Sequence, residues 1–182
     1  MIKGKDTCTT EIKVMYDPDS PHTAEDRALQ QKMVWRLYRM QEGLACIGHA
    51  VTSARDKAKE NAKKLKKGDS FAKTLNDFAD ELDQLNKTLV ATKTGAGITG
   101  ELQLREKVVG LYGSVSSYNG KPTESQLARM NVLEKEIDKK NAEFEAIISK
   151  ELNSINKKLE GKKLEPIRIM TNGEWDKKQE ES

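Results

Sequence analysis

The sequence is poor in the residues that interrupt helices and in those that build reactive sites. It has four prolines, two cysteines and two histidines among 182 residues, and aromatic residues make up only 5% of it. Cys8 and Cys46 form no CxxC pair and have no metal-ligand spacing, so we expect Cys46 to be a small buried hydrophobic residue. Neither His22 nor His49 has a glutamate three residues before it, as a di-iron helical bundle requires. The sequence therefore predicts no metal and no cofactor.

Long apolar runs are missing as well. No stretch reaches the roughly 18 consecutive apolar residues that indicate a transmembrane helix, so we expect no membrane span. Residues 1–6 lack the apolar centre of a secretory signal. The chain is therefore either cytoplasmic as it stands or a piece of a longer exported protein.

The sequence also has little excess charge of one sign. Its 32 basic and 29 acidic side chains are interleaved and give a formal net charge of +3, which is typical of a mixed, solvated surface. Lysines concentrate only at residues 57–67, where acidic residues lie close by and aromatic stacking partners are absent. Lysines at this position favour the C-terminal end of a helix, and we predict no nucleic-acid partner.

What the sequence does have is a long series of apolar residues at spacings of three and four, the pattern of amphipathic helices. The first stripe predicts a helix of about 44 residues, roughly 65 Å long, that begins after the capping residue Thr23 and ends in lysines before Gly68. The next three predict helices from Asp69 or Ser70 to near Lys93, over residues 101–117, and from a Thr123 capping box to about residue 160. The stripes consist of Leu29, Met33, Leu37, Met40, Leu44, Ile47, Val51, Ala54, Ala58, Ala62 and Leu65; Phe71, Leu75, Phe78, Leu82, Leu85 and Leu89; Leu104, Val108, Leu111 and Val115; and Leu127, Met130, Leu133, Ile137, Phe144, Ile148, Leu152, Ile155 and Leu159.

Four such helices joined by short loops predict an all-α fold, an antiparallel four-helix bundle with two long and two shorter helices. The loop at residues 95–100 matches the pattern G-x-G-x-x-G. A dinucleotide-binding fingerprint needs a preceding strand, and here a helix precedes it. We interpret the segment as a connection between helices.

Residues 8–16 depart from the helical pattern, because apolar and polar residues alternate there as in a β-strand. A turn at residues 17–21 ends this segment. An orphan strand would leave its backbone groups unpaired, so we infer that it belongs to a sheet outside this sequence or pairs with residues 167–170. The predicted organisation is a strand and linker from an upstream domain at residues 1–22, the four-helix bundle at 23–160, and an extended or disordered tail at 161–182.

No group of residues in the sequence has the pattern of an enzyme's catalytic site. The candidate for a partner-docking patch is formed by Trp35, Tyr38 and Arg39, which combine two aromatic rings and a cation within one helical turn. The alternative is that Trp35 and Tyr38 widen the core face of the first helix or cover a neighbouring domain.

Several short motifs resemble the C-terminal helical region of bacterial sortilin-like β-propeller proteins, often labelled BNR-repeat glycosyl-hydrolase-like. The similar segments are KVMYDP at residues 13–18, TAED at 23–26, LQQ at 29–31, LYGSVSS at 111–117 and KPT at 121–123. The resemblance covers residues 13–159. It implies that residues 8–16 are the last strand of an absent β-sandwich and that the protein is exported. It also implies that any hydrolase chemistry lies on the absent propeller, and it transfers no catalytic residue to this chain.

We therefore expect a non-catalytic helical bundle, a structural or partner-binding C-terminal appendage of a larger exported propeller protein. Its partners would be the upstream domains of the same protein, and its location periplasmic, at the cell surface or secreted. One alternative is a free-standing interaction module that dimerises, and another is a small enzyme with an unrecognised site.

Overall fold

The computed structural model describes residues 9–92 and 101–171 with their side chains, the backbone of residues 2–3 and 6–7, and residues 173–175 and 177. It confirms the all-α class. Within these residues, four helices of 13 to 40 residues form most of the fold: α1 (Ala24–Lys63), α2 (Ser70–Leu89), α3 (Leu104–Ser116) and α4 (Glu124–Gly161). Residues 173–175 are helical as well. Two two-residue strands, β1 (Ile2–Lys3) and β2 (Asp6–Thr7), pair antiparallel.

Side-chain caps set where the helices begin. The amide of Asp26 donates to the hydroxyl of Thr23 at 3.1 Å, and the amide of Thr23 donates to the carboxylate of Asp26 at 3.1 Å. Thr123 and Gln126 make the same reciprocal pair at the start of α4, while Asp69 caps α2 by accepting the amide of Phe71 at 2.9 Å. These bonds satisfy amides that have no partner inside the helix. The starts predicted for these three helices are confirmed.

Ion pairs define the directions of the helices. Arg55 of α1 pairs with Asp83 of α2 at 3.1 Å, and Lys59 pairs with Asp80 at 3.7 Å. Since the residue numbers rise along one helix and fall along the other, α1 and α2 are antiparallel. The side chain of Gln30, near the start of α1, donates to the carbonyl of Val115, near the end of α3, at 2.8 Å. Helix α3 is therefore antiparallel to α1 as well.

The two long helices run in the same direction, because Arg36 near the start of α1 pairs with Glu134 near the start of α4 at 2.6 Å. Helix α2 lies along the C-terminal half of this pair, where Lys158 lies over the ring of Phe71, and α3 lies along the N-terminal half. A cut across either half therefore meets three helices, α1, α4 and one of the shorter two. The four-helix bundle of the prediction is not confirmed.

The core lies between these helices and follows the predicted stripes. Every stripe residue of α2 is buried, and so are nine of the eleven in the first stripe. The two exceptions, Leu29 at the start of α1 and Leu65 just beyond its end, are partly buried. Cys46 is only 9% exposed, as expected for a small buried residue. In α4 the burial is discontinuous, because none of its residues between Ile137 and Ile155 is buried.

The predicted β-strand at residues 8–16 is not found. Cys8 lies outside the described residues, and residues 9–17 form no strand. Residues 167–170, the predicted pairing partner, also form no strand, because the backbone of Ile167 bonds instead to the side chain of Asn156. Alternation of polar and apolar residues gives a strand only where a second strand supplies its hydrogen bonds.

After α4 the chain turns back as an extended segment, residues 164–171, which we call the strap. The Asn156 side chain accepts the amide of Ile167 at 2.8 Å and donates to its carbonyl at 2.9 Å. The amide group of Asn61 donates to the carbonyl of Glu165 at 2.9 Å, and Lys57 pairs with the Glu165 carboxylate. Ile167 is 1% exposed. The strap is therefore held between α1 and α4, although its sequence shows no periodicity.

The turn from α4 into the strap contains the one described residue other than glycine with a positive φ, Lys163 at 58°. The amide of Leu164 donates to the carbonyl of Leu159 at 2.9 Å, and that of Lys163 to Glu160 at 2.9 Å. This is the Schellman pattern, in which glycine is preferred because a Cβ is strained at positive φ.

Replacing Lys163 with glycine is therefore expected to raise the free energy of unfolding by about 0.5–1 kcal/mol, the relief of strain less the added freedom of the unfolded chain. Urea denaturation measures the change. Lys162, at φ −97°, is the matched control, and Lys162→Gly should lower stability. If Lys163→Gly and Lys162→Gly change the free energy of unfolding equally, the backbone at Lys163 is not strained.

Acid is expected to weaken the α1–α2 contact through Asp83. The ammonium of Lys87, at 2.9 Å, and then the guanidinium of Arg55 lower the pKa of Asp83 in the folded state. A lowered folded pKa stabilises the fold at pH values above the unfolded pKa, near 4, and this stabilisation is lost as the pH falls through the folded pKa.

The variant Asp83→Asn should therefore be less stable than the native chain at pH 7, and the two denaturation midpoints should converge towards pH 2. The exposed Asp77 of the same helix supplies the control Asp77→Asn. A difference between Asp83→Asn and the native chain that persists unchanged at pH 2 would contradict the charge effect.

Candidate functional site

The structure brings the predicted docking patch together on one surface of α1. The rings of Trp35 and Tyr38 pack edge to face with centroids 5.7 Å apart, and the side chains are 57% and 43% exposed. Arg39 is exposed beside them. A hydrogen bond to Glu42 and its negative charge raise the pKa of the Tyr38 hydroxyl. The alternative, that Trp35 and Tyr38 widen the core face, does not agree with this exposure.

Helix α3 extends this surface in a way that the sequence did not indicate. Tyr112 lies near enough to Tyr38 to affect its pKa, and Val109, one turn earlier on α3, is 46% exposed. We call Trp35, Tyr38, Val109 and Tyr112 the aromatic patch.

A second group of side chains fixes the direction in which the N-terminal segment leaves the helices. The guanidinium of Arg27 lies 3.8 Å from the centre of the Tyr16 ring and donates to the carbonyl of His22 at 2.5 Å. The His22 ring in turn packs edge to face on Tyr118, whose hydroxyl lies 3.2 Å from His22 Nε2. The α3–α4 connection therefore holds the turn before α1. We call Tyr16, His22, Arg27 and Tyr118 the junction.

Gly120 gives the junction its close packing. A Cβ at this position would lie 2.5 Å from the ring of Tyr118 and 2.6 Å from Nε2 of His22. Gly120→Ala is expected to push these two rings apart and to lower the free energy of unfolding by about 1 kcal/mol, the low end of overpacking effects, because the Tyr118 ring is exposed and has room to move. In the control Gly113→Ala the new Cβ meets no atom within 4 Å, so helix propensity should raise stability. Thermal denaturation measures the change in stability for both variants. If both changes have the same sign, the close packing at Gly120 is contradicted.

A cleft of about 570 Å³ lies between the middle parts of α1 and α4. Gly43, Cys46 and Ala50 on α1 have small side chains and leave space opposite the partly buried Phe144 and Ile148 on α4. The end of the strap closes the cleft on one side. The full lining is Gly43, Cys46, Ile47, Ala50, Asn141, Phe144, Glu145, Ile148, Ser149, Ile169 and Met170. A mainly apolar opening with a few polar groups has the character of a binding site.

The remaining sequence features that were considered as binding sites are the histidines, the cysteines, the acidic residues and the glycine-rich loop. Within residues 9–92 and 101–171, no group of three or more histidine, cysteine or acidic side chains is arranged to hold a metal ion. His49 packs its ring against Trp175, at 5.4 Å between centroids. The glycine-rich loop at residues 95–100 lies outside the described residues. Among the helices that the structure does describe, none has both the length and the apolar character needed to cross a bilayer.

Three of the six lysines in the basic segment pair with acidic side chains. Lys57 and Lys64 pair with Glu60 at 3.1 and 2.6 Å, and Lys59 pairs with Asp80. The hydrogen bonds from Lys64 and then from Lys57 lower the pKa of the Glu60 carboxyl. The pKa of Lys57 is raised, first by its hydrogen bond to Glu165 and then by the one to Glu60. Their arrangement supports the interpretation of this segment as a solvated helix end.

A comparison of the chain with protein-family models, with curated proteins and with solved structures found no match. The resemblance to sortilin-like propeller proteins therefore gains no support from it.

Proposed function

We propose that this chain is a non-catalytic helical module, the C-terminal appendage of a larger exported protein, and that residues 9–16 attach it to the preceding domain. The observation that carries the proposal is the exposure of that segment. Four large apolar side chains of the segment are exposed: Ile12 by 80%, Val14 by 91%, Met15 by 71% and Tyr16 by 66%. Large apolar side chains that lie so close together in the chain are usually covered by another part of a protein. An extended segment of this composition is typical of a strand within a sheet.

The junction supports this function because it fixes the position of residues 9–16 relative to the start of α1. Stacking of Arg27 on Tyr16, the last of the exposed residues, and the contact of His22 with Tyr118 hold the chain at the end of the segment and just after it. A partner domain bound to residues 9–16 would therefore have a defined orientation relative to α1. The upstream domain would be the β-sheet domain of a propeller protein of the sortilin-like kind, located in the periplasm, at the cell surface or outside the cell.

The test begins with the reading frame that precedes the codon for Met1, where we expect several hundred residues rich in short strands. The longer protein is then compared with the present chain by hydrogen exchange at residues 9–16. We expect at least tenfold slower exchange in the longer protein, and loss of this protection in Ile12→Asp/Val14→Asp. The control Glu11→Ala/Lys13→Ala changes polar residues of the same segment. An in-frame stop codon just upstream, or unprotected amides in the longer protein, would refute the attachment.

The exposed aromatic patch favours a second candidate, a free-standing module that dimerises through it. Sedimentation equilibrium of the chain and of Trp35→Ser tests this alternative. A dimer that Trp35→Ser abolishes would favour it over the appendage, while a monomer at high concentration would exclude it. Assays with glycosidase and esterase substrates address the remaining alternative of a small enzyme.

A further inference from the structure

The cleft between α1 and α4 lies in the same groove that the strap occupies further along these helices. The strap begins near the C-terminal ends of α1 and α4, and its residues Ile169 and Met170 form one wall of the cleft. Beyond Met170 the groove continues between Gly43, Ile47 and Phe144 with no part of the described chain in it. The cleft is therefore a continuation of an intramolecular interface with a peptide.

The strap shows what kind of molecule this groove holds. It is an extended peptide whose aliphatic side chain at Ile167 is 1% exposed. Two side chains bond to its backbone: Asn156 both accepts from the amide and donates to the carbonyl of Ile167, and Asn61 donates to the carbonyl of Glu165. An asparagine side chain offers the same donor and acceptor as a peptide group.

The polar side of the groove also continues into the cleft. Ser149 lies seven residues before Asn156, two turns away on the same face of α4, and it lines the cleft. Asn141, a further two turns away, lines it too. Both residues have donor and acceptor groups, and they flank the apolar side chains of Phe144 and Ile148 on the same wall of the cleft, with Ile47 of α1 on the other wall.

We propose that the cleft binds an extended peptide segment of a protein partner. The peptide places one aliphatic side chain among Ile47, Phe144 and Ile148, and its backbone bonds to Ser149 and Asn141 as the strap bonds to Asn156. The Ser149 hydroxyl already donates to the carbonyl of Ala146 at 3.1 Å, so the peptide adds a donor to Ser149 and bonds to the amide of Asn141, whereas an acyl chain would cover Asn141 without a hydrogen bond, which is unfavourable. The proposal goes beyond the attachment through residues 9–16 and does not depend on it.

Two glycines of α1 supply a blocking variant and its matched control. Gly43 lines the cleft and Gly48 does not, and a Cβ built on either meets no atom within 4 Å. Gly43→Leu fills the cleft, while Gly48→Leu adds the same side chain elsewhere on the same helix. Both substitutions should keep the fold, because leucine has a higher helix propensity than glycine.

The probe is a library of random heptapeptides displayed on phage and selected on the immobilised full chain. We expect enriched peptides to contain aliphatic residues. Fluorescence anisotropy of the labelled synthetic peptides should show at least tenfold weaker binding to Gly43→Leu, and binding within twofold of native to Gly48→Leu. The double variant Asn141→Ala/Ser149→Ala should bind several-fold more weakly. Failure of the library to enrich, or equal binding by both leucine variants, would overturn the proposal.

Two other occupants of the groove are separated by the same variants. If the chain self-associates, and Gly43→Leu abolishes this association while Gly48→Leu preserves it, the occupant of the cleft is a second copy of the chain. That result would overturn the proposal of a peptide from another protein. If Asn156→Ala strengthens peptide binding while Gly43→Leu leaves it unchanged, the peptide binds by displacing the strap. That result would also overturn the proposal that the cleft is the binding site. Neither result bears on the exchange experiment at residues 9–16, so the two proposals fail separately.

Discussion

Phe78→Ala is expected to lower the free energy of unfolding by about 3–5 kcal/mol, the range for removal of a fully buried aromatic side chain. Phe78 lies at the middle of α2 and is 0% exposed, and the neighbouring stripe residues Leu75 and Leu82 are 0% exposed as well. The alanine leaves a cavity between helices that other contacts hold in place. The loss therefore includes both the transfer of the ring from water and the unfilled space.

Guanidinium denaturation, followed by circular dichroism at the helical band, measures this loss. Phe144→Ala is the matched control, because Phe144 is the same residue type in the middle of α4 but is only partly buried at the cleft. We expect its effect to be less than half as large. Equal losses for the two variants would mean that α4 packs against α1 as tightly as α2 does, contrary to the open cleft.

This contrast between Phe78 and Phe144 shows the limit of apolar periodicity. Both residues belong to predicted apolar stripes, although the α4 stripe has polar residues at 140 and 141 just before Phe144, and the sequence predicted both as core. Whether a stripe residue is buried depends also on the side chain opposite it, and α1 presents Gly43, Cys46 and Ala50 to Phe144 and Ile148. The spacing within one helix contains no information about the residues that face it from another.

Local features were predictable because their causes are local. The capping boxes of Thr23 and Thr123 involve residues three positions apart, and the helix stripes repeat within a few turns. The arrangement of the helices was not predictable in the same way. Four amphipathic segments can form a four-helix bundle or can place α2 and α3 one after the other along the longer pair, and the stripes alone do not distinguish these packings.

The strap was missed for a different reason. Asn61 and Asn156 are polar residues inside long helices, where polar residues usually belong to the solvated face. Asn61 is nevertheless 0% exposed, and both bond to backbone groups that are distant in sequence. The candidate patch, in contrast, was visible in the sequence as Trp35, Tyr38 and Arg39, but its extension to Tyr112 on α3 depends on the packing of α1 against α3.

Asn156→Ala is expected to release the strap and to lower the free energy of its attachment by about 2–4 kcal/mol. The substitution leaves the amide and the carbonyl of Ile167 without their partner, and each unsatisfied buried group costs about 1–3 kcal/mol. Once Ile167 leaves its buried position, the bond from Asn61 to Glu165 and the pair of Lys57 with Glu165 hold the segment only at its start. Hydrogen exchange at residues 164–171 should therefore become faster by about 30-fold or more.

Asn153→Ala is the matched control, since Asn153 is on the same helix one turn earlier and is exposed. It should leave exchange in the strap unchanged. In the Asn156→Ala variant the amides of α2, which does not bond to the strap, should keep their native protection, because a segment held by a few side chains opens separately from the core. If α2 and the strap instead lose protection together, the strap is part of the cooperative core, and the groove it occupies is not an independent binding surface.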